Sequence, residues 1–390
     1  MTVIFWVSLF IIFYTYIGYG IVLYVLVRIK RLFIKPIKLV DGSFTPSLTL
    51  IVAAYNEASV IEEKIQNTLQ LIYPKDKLQL IFVTDGSIDN TPTVIAQYPE
   101  IKLLHKAGRS GKINAVHRAM GEVNTEIVVF TDANTFLNEN ALLRIAKHYI
   151  NPKVGAVSGE KRVAIEANAD ATAGEGFYWK YESALKKWDA ELYSVVGAAG
   201  ELFSVRTDLY VAVEPDTLLD DFMISMKIAM QGYKIAYDAD AYAMESSSEN
   251  LKEEYKRKVR IASGGIQSII RTRKLFNPIF MPLLGFQYLS HRVLRWTITP
   301  FLMILVVFVN AYLLFDNVNW LLAIIMVGQL GFYSLAALGW LLERKEVRIK
   351  ILFIPYYFCF MNYCVLVGIY RYFFTQKSSV LWDKAKRKQG

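Results

Sequence analysis

The hydrophobic positions of this chain are concentrated in long uncharged runs near its two ends. The first run covers residues 3–27, and three further runs cover residues 298–315, 320–342 and 351–374. A helix needs roughly 17–25 apolar residues to cross the hydrocarbon core of a bilayer. The pattern therefore predicts four membrane-spanning helices. A cleaved signal peptide is the alternative for the first run, but its apolar region would be about 7 to 15 residues long and would follow positive charges.

The central part of the chain, residues 41–275, carries shorter apolar runs with a different rhythm. Runs rich in branched residues, which are typical of strands, occur at residues 47–53, 78–84, 101–105 and 126–131. Helix-like stretches lie between and after them, at residues 58–71, 111–120 and 140–149. This alternation predicts an α/β domain whose sheet is covered by helices on both faces.

These runs divide the chain into five predicted segments. They are an N-terminal transmembrane helix with a basic flank (1–40), a cytosolic domain (41–250), amphipathic interfacial helices (251–295), three transmembrane helices (296–376) and a basic tail (377–390). Residues 275–289 are apolar, but the stretch is short and is broken by Pro278 and Pro282. An interfacial segment is therefore preferred there to a fifth crossing.

The distribution of positive charge predicts the orientation in the membrane. The residues after the first run are basic (Arg28, Lys30, Arg31, Lys35 and Lys38), and so is the loop ERKEVRIK at 343–350. Because cytoplasmic loops carry an excess of lysine and arginine, the central domain is predicted to lie on the cytoplasmic side of a plasma or inner membrane. Four crossings would place the basic tail outside, so the side of the tail stays open.

The hydrophobic content and net charge of the chain indicate which classes of molecule it binds. Of the 390 residues 54% are hydrophobic, and the net charge is +9 at pH 7. Much of this charge flanks the apolar runs and the sequence has no nucleic-acid-binding motif, so membrane lipid and an anionic substrate are predicted as partners and nucleic acid is not. Cys359 and Cys364 both lie in the last apolar run and are interpreted as small hydrophobic residues.

Polar residues gather at the carboxyl ends of three predicted strands. The first strand is followed by Tyr55-Asn56-Glu57, the second by Asp85-Gly86-Ser87-Ile88-Asp89, and the fourth by Asp132-Ala133-Asn134. Ligands of open α/β sheets bind beyond these ends. Helix capping explains a single acid such as Asp89, but it does not easily explain acids on several neighbouring ends. Carboxylates gathered on one rim repel one another unless a cation lies among them, which predicts a divalent metal ion.

The basic segment at 105–112 predicts a phosphate site beside these acids. Lys106, Arg109 and Lys112 supply its positive charge. The segment is not a Walker loop, because Gly108 and Gly111 are three apart and Ile113 follows the lysine. Magnesium binds few protein carboxylates and completes its coordination with water and phosphate oxygens, so one or two acids suffice.

Five ordered motifs resemble those of the membrane-integrated family 2 glycosyltransferases, which include the cellulose, chitin, hyaluronan and poly-N-acetylglucosamine synthases. The motifs are Tyr55-Asn56-Glu57, Asp85-Gly86-Ser87-x-Asp89, Gly111-Lys112-x-Asn114-Ala115, Thr131-Asp132-x-Asn134 and Leu219-Asp220-Asp221. The resemblance covers nearly the whole chain. It implies a nucleotide-sugar-binding (GT-A-like) fold, a nucleotide-sugar donor with UDP preferred, and a glycan or lipid-linked acceptor.

The resemblance also implies the donor and metal residues. Tyr55 and Glu57 would lie by the base and ribose, Asp85 by the uracil or ribose, and Lys112 by the diphosphate. Asp132 would hold Mg²⁺ or Mn²⁺ on that diphosphate. The family usually has Asp where this chain has Asn134, a neutral oxygen ligand that would weaken or relocate one metal contact.

Asp221 is the predicted general base, which removes the proton of the acceptor hydroxyl. The resemblance aligns Asp220-Asp221 with a Glu-Asp pair at the start of a helix, so Asp220 stands in for the usual Glu and is assigned to the acceptor. An acidic first turn favourable to the helix dipole is the alternative. A single inverting displacement is implied, without a glycosyl-enzyme intermediate.

The stretch VVGAAGELFSVR at 195–206 matches the loop that lies beside the acceptor sugar in the family. Ala199 and Gly200 occupy its narrow part and are the predicted acceptor-binding residues. A simple turn before a strand at 202–205 explains the same letters, so both interpretations stay open.

The largest departure from the family pattern lies at residues 257–261. Processive relatives carry Q-x-x-R-W at the membrane surface, whereas this chain has Arg257 for the glutamine, keeps Arg260 and has Ile261 for the tryptophan. Arg257 and Arg260 lie on one helix face and are predicted to contact the donor diphosphate, while a basic amphipathic helix on anionic lipid is an alternative compatible with that role. Without the tryptophan platform two acceptors remain open, a growing polysaccharide or glycan and a lipid such as a polyprenyl phosphate that receives one sugar.

Overall fold

A computed structural model describes residues 1–35, 40–42, 44–163, 172–245, 251–316, 319–345, 347 and 349–375. These residues form two compact units. The helical unit comprises residues 1–28, 172–185 and 255–375, and the sheet unit comprises residues 29–163 and 186–254 within the described ranges. The predicted segment boundaries stay predictions.

The α-helices are numbered here in chain order. They are α1 (Thr2–Phe13), α2 (Tyr19–Phe33), α3 (Ile61–Leu69), α4 (Thr91–Ile95), α5 (Lys112–Met120), α6 (Ala141–Ala146), α7 (Thr172–Leu192), α8 (Asp220–Ala229), α9 (Leu251–Arg271), α10 (Pro282–Tyr288), α11 (Leu294–Trp296), α12 (Ile298–Asp316), α13 (Trp320–Glu343) and α14 (Lys350–Phe374). A π-helical turn, Tyr14–Gly18, joins α1 to α2, and a second one, Leu289–Val293, joins α10 to α11. The long helix α7 was not predicted from the sequence.

Among the described residues, four helices are long and apolar enough to cross a membrane. They are the continuous helix Thr2–Phe33, α12, α13 and the Ile351–Phe374 part of α14. This confirms the four predicted helices by length and composition, while their orientation stays a prediction. Phe5 of α1 packs into a buried cluster with Val306, Val309 and Leu313 of α12. Pro282 begins α10, so the apolar stretch at 275–289 is interrupted as the two prolines predicted.

The sheet unit is built on one sheet of eight strands. They are β1 (Leu48–Ala54), β2 (Leu78–Asp85), β3 (Lys102–Lys106), β4 (Ile127–Asp132), β5 (Thr135–Leu137), β6 (Val154–Val163), β7 (Leu202–Arg206) and β8 (Lys234–Glu245). Their order is β3-β2-β1-β4-β7-β6-β8-β5. The first four strands are parallel, and β7 runs antiparallel to both β4 and β6. The four strands predicted in the parallel half are confirmed, each to within one residue at either end.

The parallel half of the sheet has helices on both faces, as predicted. All seven residues of β1 are buried, which is why its sequence, LTLIVAA, shows no alternation with polar residues. The chain leaves β1 toward β2 and β3 on one side and reaches β4 on the other. This reversal of strand order opens a crevice at the carboxyl ends of β1 and β4, where ligands of such sheets bind.

Two predicted helices are shorter than their sequence pattern. The stretch predicted from residue 58 becomes helical only at Ile61, because the backbone N–H groups of Val60 and Ile61 both bond to the carbonyl of Glu57 in a turn. The stretch predicted to residue 149 leaves the α conformation after Ala146 and continues as the 3-10 turn Lys147–Ile150.

Candidate active site

Asp85, at the end of β2, anchors the loop that leads into α5. Its side chain is buried, and its Oδ2 accepts hydrogen bonds from the backbone N–H groups of Ser110 and Gly111 at 2.7 and 2.6 Å. The guanidinium of Arg118 lies 3.8 Å from the other oxygen, Oδ1. That Oδ1 is buried and accepts no hydrogen bond from the described residues. The role of Asp85 toward the uracil or ribose stays a prediction.

The aromatic ring of Tyr55 lies directly after β1 and is covered by a basic side chain. The guanidinium carbon of Arg109 is 4.1 Å from the ring centroid. Gly86 allows this approach, because it has a φ of +71° and a Cβ there would lie 2.6 Å from the Cβ of Arg109. Arg109, which the sequence predicted to contact phosphates, therefore stacks on Tyr55, beside the predicted site of the nucleotide base.

Glu57 and Asp89 join the loops after β1 and β2. Glu57 is buried, and its backbone N–H donates to Thr91 Oγ1 at 2.9 Å. The Asp89 carboxylate accepts hydrogen bonds from the backbone N–H groups of Ala58 and Thr91, each at 3.0 Å. Burial opposes ionisation of Asp89, but the hydrogen bond from the Thr91 hydroxyl, together with those from the backbone, holds its pKa below the ordinary value. Asp89 is thus a structural carboxylate that joins the two loops, while Asn90 holds the N-cap position of α4.

A lysine and two carboxylates from three elements meet at the crevice. Lys112 begins α5, and its Nζ lies 2.8 Å from Oδ1 of Asp132, the last residue of β4. The same Nζ lies 3.7 Å from Oδ2 of Asp220, the first residue of α8. These three side chains line a small cleft together with Ala53, Thr131 and Gly200. The carboxylates are therefore neutralised in part by Lys112, which is placed to contact any anion that enters the cleft.

Asp221 follows Asp220 in the first turn of α8. Burial and the neighbouring charge of Asp220 raise the pKa of Asp221 to about 7, although Lys112 opposes the shift. A carboxyl that titrates near neutral pH is suited to accept a proton during a reaction. The predicted base is thus in an environment that fits general base catalysis.

The loop before β7 packs directly against Asp221. A Cβ on Gly200 would lie 2.9 Å from Oδ2 of Asp221. The backbone N–H of Ala199 donates to Ser158 Oγ at 3.3 Å, which ties the loop to β6. A second glycine of the loop, Gly197, has a φ of +78°, and a Cβ there would lie 2.1 Å from the ring of Phe222. The loop can therefore pack this closely against Asp221 and Phe222 only because glycine, which has no Cβ, occupies both positions.

Gly200→Ala is expected to lower kcat by about tenfold, because the new methyl group would displace the Asp221 carboxylate. Displacement of a reacting group typically lowers the rate by about this factor or more. Steady-state kinetics of the purified variant measure it. Gly121→Ala is the matched control, since a Cβ there meets no atom closer than 3.4 Å. Equal activity of both variants would show that Gly200 does not set the position of Asp221.

The residues around Asp132 fit a divalent cation that is shared with a phosphate ligand. Asp132 ends β4, and Asn134 follows in the turn before β5. Among the described residues no group of three or more His, Cys, Asp or Glu side chains is arranged to hold a metal ion. A site with one carboxylate and one amide oxygen suits Mg²⁺ or Mn²⁺ when phosphate and water oxygens complete the coordination. Asp132 and Asn134 are therefore retained as the candidate metal ligands.

The predicted site residues of the sheet unit are linked through α5, and two further predicted residues belong to the helical unit. Asp85 binds the backbone of Gly111, and the next residue, Lys112, reaches Asp132, so α5 links the two halves of the candidate site. Arg257 and Arg260 lie on α9, in the part that belongs to the helical unit. Their predicted contact with the donor stays a prediction.

Sequence reasoning missed two charged residues near the site. Lys64 is fully buried at a position of α3 that shares the apolar stripe of Ile61 and Ile65, and this interruption of the stripe was a detectable signal. Glu201 pairs with Lys161 at 2.5 Å, and its charge contributes to the raised pKa of Asp221. Lys161 and Glu201 are 40 positions apart, so no local pattern pointed to the pair.

Part of the sheet unit matches a known protein family. The family Glycosyl transferase family 2 matches residues 49–211. This range contains Tyr55, Asp85, Lys112, Asp132 and Gly200, and it ends before Asp220 and Asp221.

Two characterised relatives are similar over a little more than half of the chain. A poly-beta-1,6-N-acetyl-D-glucosamine synthase from Staphylococcus aureus is 28% identical over 236 residues, which are 57% of this chain and 56% of that protein. A beta-monoglucosyldiacylglycerol synthase from Synechocystis is 28% identical over 235 residues, which are 57% of this chain and 48% of that protein. The chain thus spans about half the length of these relatives.

A solved structure shares the fold over nearly the whole chain. It is the mannosyltransferase PcManGT from Pyrobaculum calidifontis in complex with GDP-Man and Mn²⁺. The TM-score is 0.69 at 23% sequence identity, and the match covers 96% of this chain and 99% of that one. At this identity the likeness establishes the fold alone, which is the predicted GT-A-like type with apolar helices on both sides of the domain.

Proposed function

We propose that this chain, whose residues 49–211 match the family Glycosyl transferase family 2, transfers a sugar from a nucleotide sugar to a growing glycan at the membrane, with inversion at the anomeric carbon. The observation that supports this most is the meeting of Lys112, Asp132 and Asp220 at the crevice beyond β1 and β4, with Asp221 next in α8. A binding or scaffold protein would not need these charges together in one cleft.

In the proposed reaction Asp221 accepts the proton of the acceptor hydroxyl. The hydroxyl oxygen forms a bond to the anomeric carbon as the bond from that carbon to the diphosphate oxygen breaks. The nucleoside diphosphate leaves, and the proton stays on the carboxylate of Asp221. The raised pKa supports this role, because a carboxylate that titrates near 7 is a stronger base than an ordinary one and about half of it is ionised at pH 7.

The donor side of the cleft is proposed to bind the nucleoside diphosphate. Tyr55, Glu57 and Asp85 are assigned to the base and ribose, and Lys112 to the diphosphate. In the free protein Lys112 is paired with Asp132 and lies near Asp220, so binding of the diphosphate would give this ammonium a further anionic partner. When bound on Asp132 and Asn134, Mg²⁺ or Mn²⁺ would supply positive charge that stabilises the leaving diphosphate.

A lipid acceptor that receives a single sugar is the second candidate. Two observations favour it. Ile261 stands where processive relatives have tryptophan, and one of the two relatives is a synthase of a glucosyl lipid by name. The four apolar helices suit either acceptor, because both products are made at a membrane.

A panel of nucleotide sugars tests the proposed function. We expect the full-length protein in membranes to release nucleoside diphosphate from one donor, a UDP-sugar by the resemblance, in the presence of Mn²⁺ or Mg²⁺ but not of EDTA. With a radiolabelled form of that donor, chromatography separates a polymer from a lipid that carries one sugar. Absence of release from every donor would contradict the proposed function, and a single-sugar lipid product would select the second candidate.

A further inference from the structure

Lys64 is a lysine enclosed in the interior of the sheet unit. It lies in the middle of α3, its exposed fraction is 0%, and it is among the largest fully buried side chains of the described chain. No ion pair joins it to a carboxylate among the described residues. Burial lowers its pKa to about 7, against the opposing charge of Asp132. A buried amine without an ion-pair partner costs stability, so the packing of α3 does not account for a lysine at this position.

The amine of Lys64 lies beneath the turn that carries the candidate metal ligands. Its Nζ donates a hydrogen bond to the backbone carbonyl of Thr135 at 2.5 Å and lies 3.4 Å from Thr131 Oγ1. These two threonines flank Asp132 and Asn134. Lys64 therefore contacts both ends of the turn.

The threonines extend this contact to the turn itself and to the acceptor loop. Thr135 Oγ1 donates to the backbone carbonyl of Asp132 at 3.0 Å, and Thr131 Oγ1 donates to the backbone carbonyl of Glu201 at 2.8 Å. Each threonine hydroxyl has a single proton, which it donates to a backbone carbonyl. The other hydrogen-bond donor to these threonines is therefore the amine of Lys64. A neutral amine still donates two hydrogen bonds, so these contacts do not require the charged form.

We propose that Lys64 is a positioning residue that holds the Asp132–Asn134 turn in the geometry needed for the cation accompanying the donor diphosphate. This inference rests on the proposed function. Proteins keep locally unfavourable residues where function requires them. Among the described residues, the Lys64 amine forms its hydrogen bonds with the two threonines that flank this turn. Removing a group that hydrogen-bonds to the metal ligands and orients them typically weakens metal binding by about 10- to 100-fold.

Lys64→Met tests the inference, because methionine keeps the length of the side chain and removes its N–H donors. The binding of UDP and of GDP to the purified full-length protein is measured by calorimetry at pH 8, once with Mn²⁺ and once with EDTA. We expect the affinity gained from Mn²⁺ to fall by about tenfold or more for the nucleotide that binds. Binding in EDTA should stay within about twofold of the parent protein, because the base and ribose contacts do not involve the turn.

Lys147→Met is the matched control. Lys147 is also buried in the sheet unit, but it pairs with Asp41 and Asp238 instead of contacting the turn. It should leave nucleotide binding unchanged with Mn²⁺ and with EDTA. If Lys64→Met does not fold, Lys64→Gln replaces it, and its amide donor is expected to keep part of the Mn²⁺-dependent gain.

Three outcomes would overturn the inference. An unchanged gain from Mn²⁺ in the Lys64 variant would show that the turn does not depend on the amine. An equal loss of affinity with Mn²⁺ and with EDTA would show a general structural role. A parent protein that gains nothing from Mn²⁺ would remove the metal from the proposed function itself, and that result is recognised without any variant.

Discussion

Asp221→Asn is expected to lower kcat by about 100-fold or more while leaving the affinity for the nucleoside diphosphate within about twofold. Removing a general base typically costs 10²- to 10⁴-fold in rate, and the amide of asparagine cannot take the proton of the acceptor hydroxyl. The variant keeps the shape of the side chain beside Gly200, so the loop before β7 should not move. Single-turnover rates with a saturating donor measure the loss. Asp240→Asn, on an exposed carboxylate of β8, is the control and should retain full activity.

The same assignment predicts how the activity of the parent protein depends on pH. A general base works in its ionised form, and burial together with the charge of Asp220 raises the pKa of Asp221 to about 7. We therefore expect kcat to fall as the pH is lowered through about 7. A rate that stays constant between pH 6 and 8, or an Asp221→Asn variant with the rate of the parent, would contradict the assignment.

Stability gives an independent check of this pKa. The folded protein holds the Asp221 proton up to about pH 7, whereas the unfolded chain releases it near 3.8. The unfolded state thus binds fewer protons between these values, so ionisation of Asp221 makes folding less favourable as the pH rises through that window. Asp221→Asn removes the effect. The difference in thermal midpoint, variant minus parent, should therefore be larger at pH 8 than at pH 4.

Asp132→Ala is expected to lower kcat/KM by about 100-fold or more and to abolish the dependence of donor binding on Mn²⁺. The substitution removes the carboxylate at the end of β4, and a metal ion typically contributes several kcal/mol to the stabilisation of a leaving phosphate. It also leaves Lys112 with Asp220 as a neighbouring carboxylate, at 3.7 Å. Initial rates over a range of donor and Mn²⁺ concentrations measure both effects.

Asn134→Asp is the informative counterpart of this variant. It adds a second carboxylate to the turn, as in most members of the family, and should lower the Mn²⁺ concentration that gives half of the maximal rate. An Asp132→Ala protein with the kcat/KM of the parent at every Mn²⁺ concentration would show that the cation is held elsewhere or is not used. A decrease in kcat/KM that EDTA reproduces in the parent would support the assignment.

The parallel half of the sheet and the positions of its polar ends were predictable from the sequence. Strands buried on both faces are continuous apolar runs, so β1 to β4 were located to within one residue at either end. Parallel strands bring their carboxyl ends to one edge, so Asp85 and Asp132 were expected at a common rim. The four apolar helices followed from length and hydrophobicity alone. These features depend on residues that are close together in the chain, so the sequence pattern alone is enough to predict them.

The electrostatics of the site could not be predicted in the same way, because they depend on residues that are distant in the chain. Lys112 and Asp132 are 20 positions apart, and Lys64 and Thr135 are 71 positions apart. The arrangement of β6, β7 and β8 brings Glu201 and the loop at Gly200 to Asp221, and no periodicity in the sequence indicates that arrangement. Motifs were therefore enough to name Asp221. Its pKa near neutrality, and the buried amine beneath the Asp132 turn, arise from burial and from charges that come together in the folded chain.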